Sequence, residues 1–346
     1  MSNTYASAGV NIDAGEQAVH KITRAVKSTH SPAVLTDIGG FGGAFSLCDI
    51  LKSYTDPVLV QSTDSVGTKV MIAGMMNKYD TIGRDLVGNV VGDILVMGAT
   101  PLTFLDYLAY NQIDPDRIEQ IVKGIAEECV ESGMALIGGE MAELPGVYQK
   151  NETDIVGFVT GVVEREKMIT GKTIVPGDVV FGLASSGIHT NGLSLARKIF
   201  FDIGQYTCDD DIPELEKSVG KTLLETHCNY TKPIRAILDA GIDVKGMAHI
   251  TGGGLIENIP RILPTGCAVE LRKGSWPVHS VFDVMQRIGD VTDAEMYRTF
   301  NMGIGLVLIV DKDQRTKIKE QLSKHPNFSL FEIGTVTSGK KSVQIC

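Results

Sequence analysis

The chain has 346 residues, 43% of them hydrophobic and 21% charged; this excludes a largely disordered protein and, at roughly 100–200 residues per domain, implies two domains. A net charge of −10 and the lack of any basic stripe argue against a nucleic-acid partner. No apolar run approaches a membrane span, and Met1–Ala8 lacks the basic-then-apolar order of a signal peptide, so a cytoplasmic protein is expected.

From residue 57 strands and helices alternate. Residues 57–63 read as a short buried strand ending at Asp64. Residues 81–98 read as a helix with Ile82, Leu86, Val90, Val91, Ile94 and Leu95 on one face. Its other face carries Arg84, Asp85, Gly88, Asn89, Gly92 and Asp93. Each glycine there disfavours helix by about 1 kcal/mol against alanine, so a close approach is expected. A strand at 102–110 precedes a clear amphipathic helix at 114–131, followed by strands at 134–138 and 154–163. The polar, turn-rich segment 170–177 (TGKTIVPG) separates a first domain, 1–169, from a second, 170–346. In the second, strands at 178–184, 267–271, 304–310 and 329–336 alternate with helices at 192–203, 230–240, 254–262 and 279–288, and 208–216 is irregular and acidic. The expected class is α+β, with two α/β-type domains.

Glycine makes up 38 of the 346 residues, about 11% against an average of roughly 7%, without a collagen period. Such glycines belong at tight turns or where backbone meets a ligand. Gly171-Lys172-Thr173 and Gly220-Lys221-Thr222 resemble P-loop tails, but the glycine required five residues earlier is Glu166 or Leu215. Gly39–Gly43 and Gly252–Gly254 miss the G-x-G-x-x-G spacing. STDSVGTK (62–69), directly after a strand, offers Asp64, hydroxyls and Lys69. Hard oxygens suit magnesium and an ammonium suits phosphate; the same residues also make an ordinary turn with a solvated lysine. IGGEMAELPG (137–146) reads as a second such turn. Asp64, Asp93 and Glu140 could then meet on magnesium, unless Glu140 or Glu143 caps a helix or faces water. SSGIHTNG (185–192) and Thr251–Gly254 precede helices, whose starts attract anions. His189 is either a general acid–base or a structural histidine. Cys48, Cys129, Cys208, Cys228, Cys267 and Cys346 have neither metal-site spacing nor disulfide-scaffold density.

In this order and spacing the motifs resemble the phosphoribosylformylglycinamidine cyclo-ligase family. The resemblance runs through Tyr5–Gly15, Gly39–Gly43, STDSVGTK, Gly98–Pro101, Phe104–Tyr107, GGEMAELPG (138–146), SSGIHTNG, AHITGGG (248–254), Glu257–Arg261 and MYRTFNMG (296–303), and ends near residue 336. It implies ATP-dependent closure of formylglycinamidine ribonucleotide to aminoimidazole ribonucleotide in purine biosynthesis, through a phosphorylated amide. It implies magnesium on Asp64, Asp93 and Glu140, and ATP on Lys27, Gly39, Gly40, Gly42, Gly43, Asp64, Lys69, Gly138 and Gly139, with Lys69 on phosphates. The ribonucleotide is expected on Ser186, His189, Thr190, Asn191, Gly252, Gly253 and Gly254. His189, Lys69 and Asp93 are the expected catalytic groups, with His189 handling the proton. The amino-terminal sheet is expected to form a barrel across a homodimer, and the second domain to be a mixed sheet flanked by helices. Three departures bear on the metal shell: Ser65 stands where the family has glycine, Gly92 where it has asparagine and Met141 where it has threonine. A superfamily kinase, or an ATP-binding module without turnover, is the alternative. A hydrogenase-maturation dehydratase, suggested by the terminal Cys346, matches AHITGGG, ENIPR and MYRTFN less well.

Overall fold

The computed structural model describes Tyr5 and residues 9–346. Ala6, Ser7 and Ala8 of the Tyr5–Gly15 segment, and Met1–Thr4 before it, lie outside the described residues. The chain divides into two compact units, Met1–Ile94 with Thr100–Arg165 and Leu95–Ala99 with Glu166–Cys346.

The first unit contains α1 (Ile12–Lys27), β1 (Pro57–Ser65), α2 (Lys69–Met75), α3 (Ile82–Leu95), β2 (Thr100–Tyr110), α4 (Pro115–Ser132), β3 (Ala135–Glu143) and β4 (Thr153–Glu164). The sheet order is β1-β4-β2-β3, with β4 antiparallel to both neighbours and β3 parallel to β2. A parallel pair needs a crossover, and α4 supplies it. Local chemistry fixes α4 at both ends. The Asp114 side chain accepts from the Asp116 and Arg117 amides, Pro115 opens the helix, and Gly133 stops it at φ 70°. Ile118, Ile121, Ile125 and Cys129 form its buried stripe.

Strand alternation divides the sheet into two faces. Phe104, Leu108 and Tyr110 of β2 are buried on the helix-covered face, while Leu59, Leu105 and Phe158 are exposed on the other. Among the described residues the sheet is open, with β1 and β3 as its edges, and does not close into a barrel. The segment 137–146, expected as a turn, is strand up to Glu143 and pairs with β2 as far as Tyr110. The long β2 offers partners that far, and ladder hydrogen bonding outweighs the turn preference of Gly138 and Gly139. The helix α1 was not expected, although Ala18, Ile22 and Val26 make a buried stripe.

The second unit contains β5 (Val179–Ala184), α5 (Leu193–Arg197), α6 (Val219–Leu223), α7 (Thr231–Asp239), β6 (Val244–His249), α8 (Gly254–Asn258), β7 (Cys267–Leu271), α9 (Ser280–Gly289), α10 (Asp293–Thr299), β8 (Ile304–Val310), α11 (Arg315–Leu322), β9 (Leu330–Ser338) and β10 (Val343–Ile345). Its mixed sheet has the order β10-β7-β9-β5-β8-β6, with β10 parallel to β7 and the other pairs antiparallel. Every residue of β8 is buried. Two expected helices are shorter than their patterns. After Arg197 the chain passes into a π-helical turn, and after Asn258 into a 3-10 turn where Pro260 lacks an amide donor.

Candidate functional site

In the first unit a cleft of about 520 Å³ is bounded by α1, segment 37–43, β2 and β3. Asp64, Gly157, Asp106 and Gly139 stand opposite one another across the four strands. Cross-strand partners share a face, so Asp64 and Asp106 both point to the helix-covered side. The glycines make room. A Cβ on Gly139 would lie 2.4 Å from Asp106 Oδ1, and one on Gly157 2.4 Å from the Phe104 ring. Asp106 is 8% exposed. Burial pushes its carboxyl up to about 7. It was not among the expected site residues. Its signal was a carboxylate at a position of β2 whose neighbours on the same face, Phe104 and Leu108, are apolar.

Residues 33–46 fold back on themselves. The Leu35 amide donates to the Ala44 carbonyl (2.9 Å) and the Ser46 amide to the Ala33 carbonyl (2.7 Å). Gly39 takes φ 89° near the tip of this flap, where Phe41 is exposed. Gly43 presses on β3; a Cβ there would sit 2.4 Å from the Ile137 carbonyl oxygen. Gly39, Gly40, Gly42, Gly43, Gly138 and Gly139 all line the cleft. Lys27 reaches Asp37, just past the Leu35–Ala44 rung of the flap, with Nζ 2.9 Å from Oδ1, and holds that carboxyl below its usual range.

The expected metal set does not assemble. Asp93 accepts from Ser62 Oγ (2.9 Å), and Asp64 from the Ser65 amide (2.7 Å). Glu140 is in register with Tyr107, one position from the Asp106–Gly139 pair, and therefore points to the opposite face. Among the described residues no three His, Cys, Asp or Glu side chains gather as a metal centre. Lys69 lies beneath the surface. It is fully buried, with Nζ 2.7 Å from Asp85 Oδ1, and offers no exposed ammonium to a phosphate. Of the three departures, Ser65 accepts from the Gly67 amide through Oγ (3.2 Å), Gly92 is buried on α3, and Met141 is in register with Leu108.

In the second unit two turns, after β5 and after β6, hold the expected substrate residues. Asn301 fixes the first, donating to the Gly187 (2.8 Å) and Ile188 (3.0 Å) carbonyls and accepting from Ser185 Oγ (3.0 Å). Asn258 fixes the second, donating to the carbonyls of Gly254 (2.8 Å), Thr251 and Gly252 (both 3.2 Å). A Cβ on Gly252 would sit 3.3 Å from Asn191 Oδ1, which brings the two turns side by side. Gly254, at φ 56°, lies against the Tyr297 carbonyl, where a Cβ would come within 2.1 Å. The helices that follow, α5 and α8, have five residues each, so their dipoles contribute less than expected.

His189 is 1% exposed at φ 66°. Its Nε2 accepts from the Ser186 amide (3.2 Å), which requires an unprotonated Nε2. The ring stacks on His227 with centroids 3.9 Å apart. His227 in turn places Nδ1 3.3 Å from Thr190 Oγ1 and Nε2 3.3 Å from His249 Nε2. Gly305 on β8 opens the space, since a Cβ there would lie 2.0 Å from the Tyr230 hydroxyl and 2.6 Å from His189 Cε1. The Tyr230 hydroxyl donates to the Ala184 carbonyl (2.7 Å), and burial raises its pKa well above the ordinary value. Sequence reasoning missed Asn258, Asn301, His227 and His249 as site-organising residues. Three of them stand inside the quoted motifs AHITGGG, ENIPR and MYRTFNMG.

Residues 47–163 match the family described as AIR synthase related protein, N-terminal domain, and residues 175–346 match its C-terminal domain. The chain is 47% identical over 339 residues to a phosphoribosylformylglycinamidine cyclo-ligase from Caldanaerobacter subterraneus subsp. tengcongensis, covering 98% of this chain and 99% of that protein. It is 50% identical over 319 residues to one from a Thermoanaerobacter species, covering 92% and 93%. Among solved structures, Escherichia coli HypE matches with a TM-score of 0.67 at 18% identity over 96% of this chain and 93% of that one. Thiamine-monophosphate kinase from Stenotrophomonas maltophilia matches at 0.65 and 17% identity, over 95% of each chain. At such identities these two structures speak to the fold alone.

Proposed function

The chain belongs to the phosphoribosylformylglycinamidine cyclo-ligase family, and we propose that it performs that family's ring closure with the residues described above. It is an ATP-dependent enzyme of purine biosynthesis that converts formylglycinamidine ribonucleotide and ATP to aminoimidazole ribonucleotide, ADP and phosphate. The observation that carries this reading is the match of 98% of the chain to 99% of a cyclo-ligase at 47% identity.

An amide oxygen is a poor leaving group. Transfer of the γ-phosphoryl group to the formyl oxygen makes it a phosphate. The neighbouring nitrogen then attacks the formyl carbon, phosphate departs, and a proton is lost from nitrogen. The enzyme's task is to hold nitrogen near carbon and to keep water from the activated intermediate. ATP is assigned to the first-unit cleft. Backbone at Gly39, Gly40, Gly42, Gly43, Gly138 and Gly139 lines it, and Lys27 pairs with Asp37 of the flap. For magnesium the hard oxygens of Asp64 and Asp93 remain, joined by Asp106, whose buried carboxyl favours a compensating cation. Magnesium needs only one or two carboxylates beside waters and phosphates, so a three-carboxylate cage is not required. When bound, it would neutralise charge on the transferring phosphoryl group.

The ribonucleotide is assigned to Ser186, Thr190, Asn191 and Gly252–Gly254, where hydroxyls and backbone amides suit its phosphate. The His189 Nε2 already accepts from the Ser186 amide, so taking up a proton there would break that bond. A homodimer is supported by the exposed Leu59, Leu105 and Phe158 on one sheet face. Among the described residues no helix is long and apolar enough to cross a membrane. Incubation with formylglycinamidine ribonucleotide and magnesium-ATP tests the reading. An imidazole product with stoichiometric ADP is expected. A stable phosphorylated product would make the chain a kinase, and no turnover would leave an ATP-binding module.

A further inference from the structure

The polar face of α3 is a fastening strip. Asp85, Asn89 and Asp93 are spaced at i, i+4 and i+8, which lines them along one side of the helix. Each grips the end of β1 or the segment leaving it. Asp93 Oδ2 accepts from Ser62 Oγ (2.9 Å), Asn89 Nδ2 donates to the Ser65 carbonyl (3.2 Å), and Asp85 Oδ1 accepts from Lys69 Nζ (2.7 Å). The last pair is the tightest constraint, because both side chains have no exposure at all. Asp64 lies between the first two fastenings. Gly67, at φ 55°, turns the chain between Ser65 and Lys69.

We infer that the Lys69–Asp85 ion pair is a positioning element that sets the path of residues 62–69 along α3 and so places the Asp64 carboxylate for magnesium-ATP. This rests on the assignment of Asp64 to the nucleotide site. A buried ion pair is a poor stabiliser compared with apolar residues of similar volume, yet breaking it from one side is strongly destabilising. It also fixes geometry, since a carboxylate and an ammonium bond at one distance and from few directions. Full burial of the Lys69 ammonium separates this role from direct contact with a phosphate.

The test uses the full-length protein and four variants: Asp64→Asn, Asp85→Asn, Lys69→Met and the double variant Lys69→Met/Asp85→Ala. Melting temperature reads folding, and the KM for magnesium-ATP and kcat are measured at saturating ribonucleotide. The single variants Lys69→Met and Asp85→Asn should melt earlier than the parent. The double variant should recover most of that loss yet keep a KM for magnesium-ATP raised 10-fold or more. If the double variant restores both stability and KM, the pair is structural only and the inference fails. Asp85→Asn keeps the Lys69 ammonium, so an unchanged or lower KM there would favour direct phosphate contact and overturn it, even if the double variant fails to fold. Asp64→Asn isolates the underlying assignment. A parental KM in that variant removes Asp64 from the site, whereas a raised KM there with a parental KM in the double variant refutes the positioning role alone.

Discussion

Replacing Asp106 by asparagine keeps the shape of the side chain and removes its titration. Burial raises the carboxyl from 3.8 to about 7 in the folded chain. Below the unfolded value the group is protonated in both states and carries no penalty. Between the two values the folded state holds a proton that the unfolded state has released, so stability falls as pH rises. Above 7 the full penalty applies, and about three pKa units correspond to a ceiling of about 4 kcal/mol. At roughly 2–4 °C per kcal/mol for a unit of this size, Asp106→Asn should melt up to about 8–16 °C higher than the parent at pH 8. The difference should shrink towards zero near pH 4. Scanning calorimetry of both proteins from pH 4 to 8, without nucleotide or metal, measures it. A difference independent of pH, or a variant less stable at pH 8, refutes the reasoning. The gain should come with lost function, because a hard oxygen donor is gone. Magnesium-ATP at 100 times its parental Kd should stabilise the parent by about 2.7 kcal/mol and the variant by less.

Gly139→Ala places a Cβ 2.4 Å from Asp106 Oδ1; overpacking of this kind destabilises by about 1–3 kcal/mol, and a displaced carboxylate should raise the KM for magnesium-ATP, as steady-state kinetics would reveal. His189→Asn should raise the ribonucleotide KM by loosening the 185–191 turn while leaving the pH profile of kcat unchanged. A fall in kcat of about 10²–10⁴ with loss of one pH limb would instead make His189 a general base. Phe158→Asp, on the exposed sheet face, should convert a dimer to monomer in sedimentation velocity at micromolar concentration. Its effect on the stability of the separated chain should stay within about 0.5 kcal/mol; a dimer that persists would place the interface elsewhere.

Much of the fold follows from local pattern, and the differences have local causes. The helix α4 is legible because periodicity, Asp114, Pro115 and Gly133 agree. The strand β3 is not, because Gly138, Gly139 and Glu140 read as a turn until β2 supplies its long parallel ladder. The same ladder decides the chemistry. A single step along β3 puts Gly139 with Asp106 and turns Glu140 to the other face, so neighbours in one motif divide between the two faces of the sheet. Lys69 illustrates a different limit. Its charge is visible in the sequence, but its partner stands 16 residues away on α3 and its burial is a tertiary fact. The second-unit turns lie between these cases. Ser186, His189, Thr190 and Asn191 were legible as a cluster. The groups that hold them in place, Asn301 on the segment before β8 and His227 stacked under His189, come from distant parts of the chain. Residue types and their spacing therefore point to the ligands a site suits. Which way each side chain faces is set by register and by partners the motif does not contain, and that is why Asp106 and Glu140 stand on opposite faces of the sheet although both border the cleft.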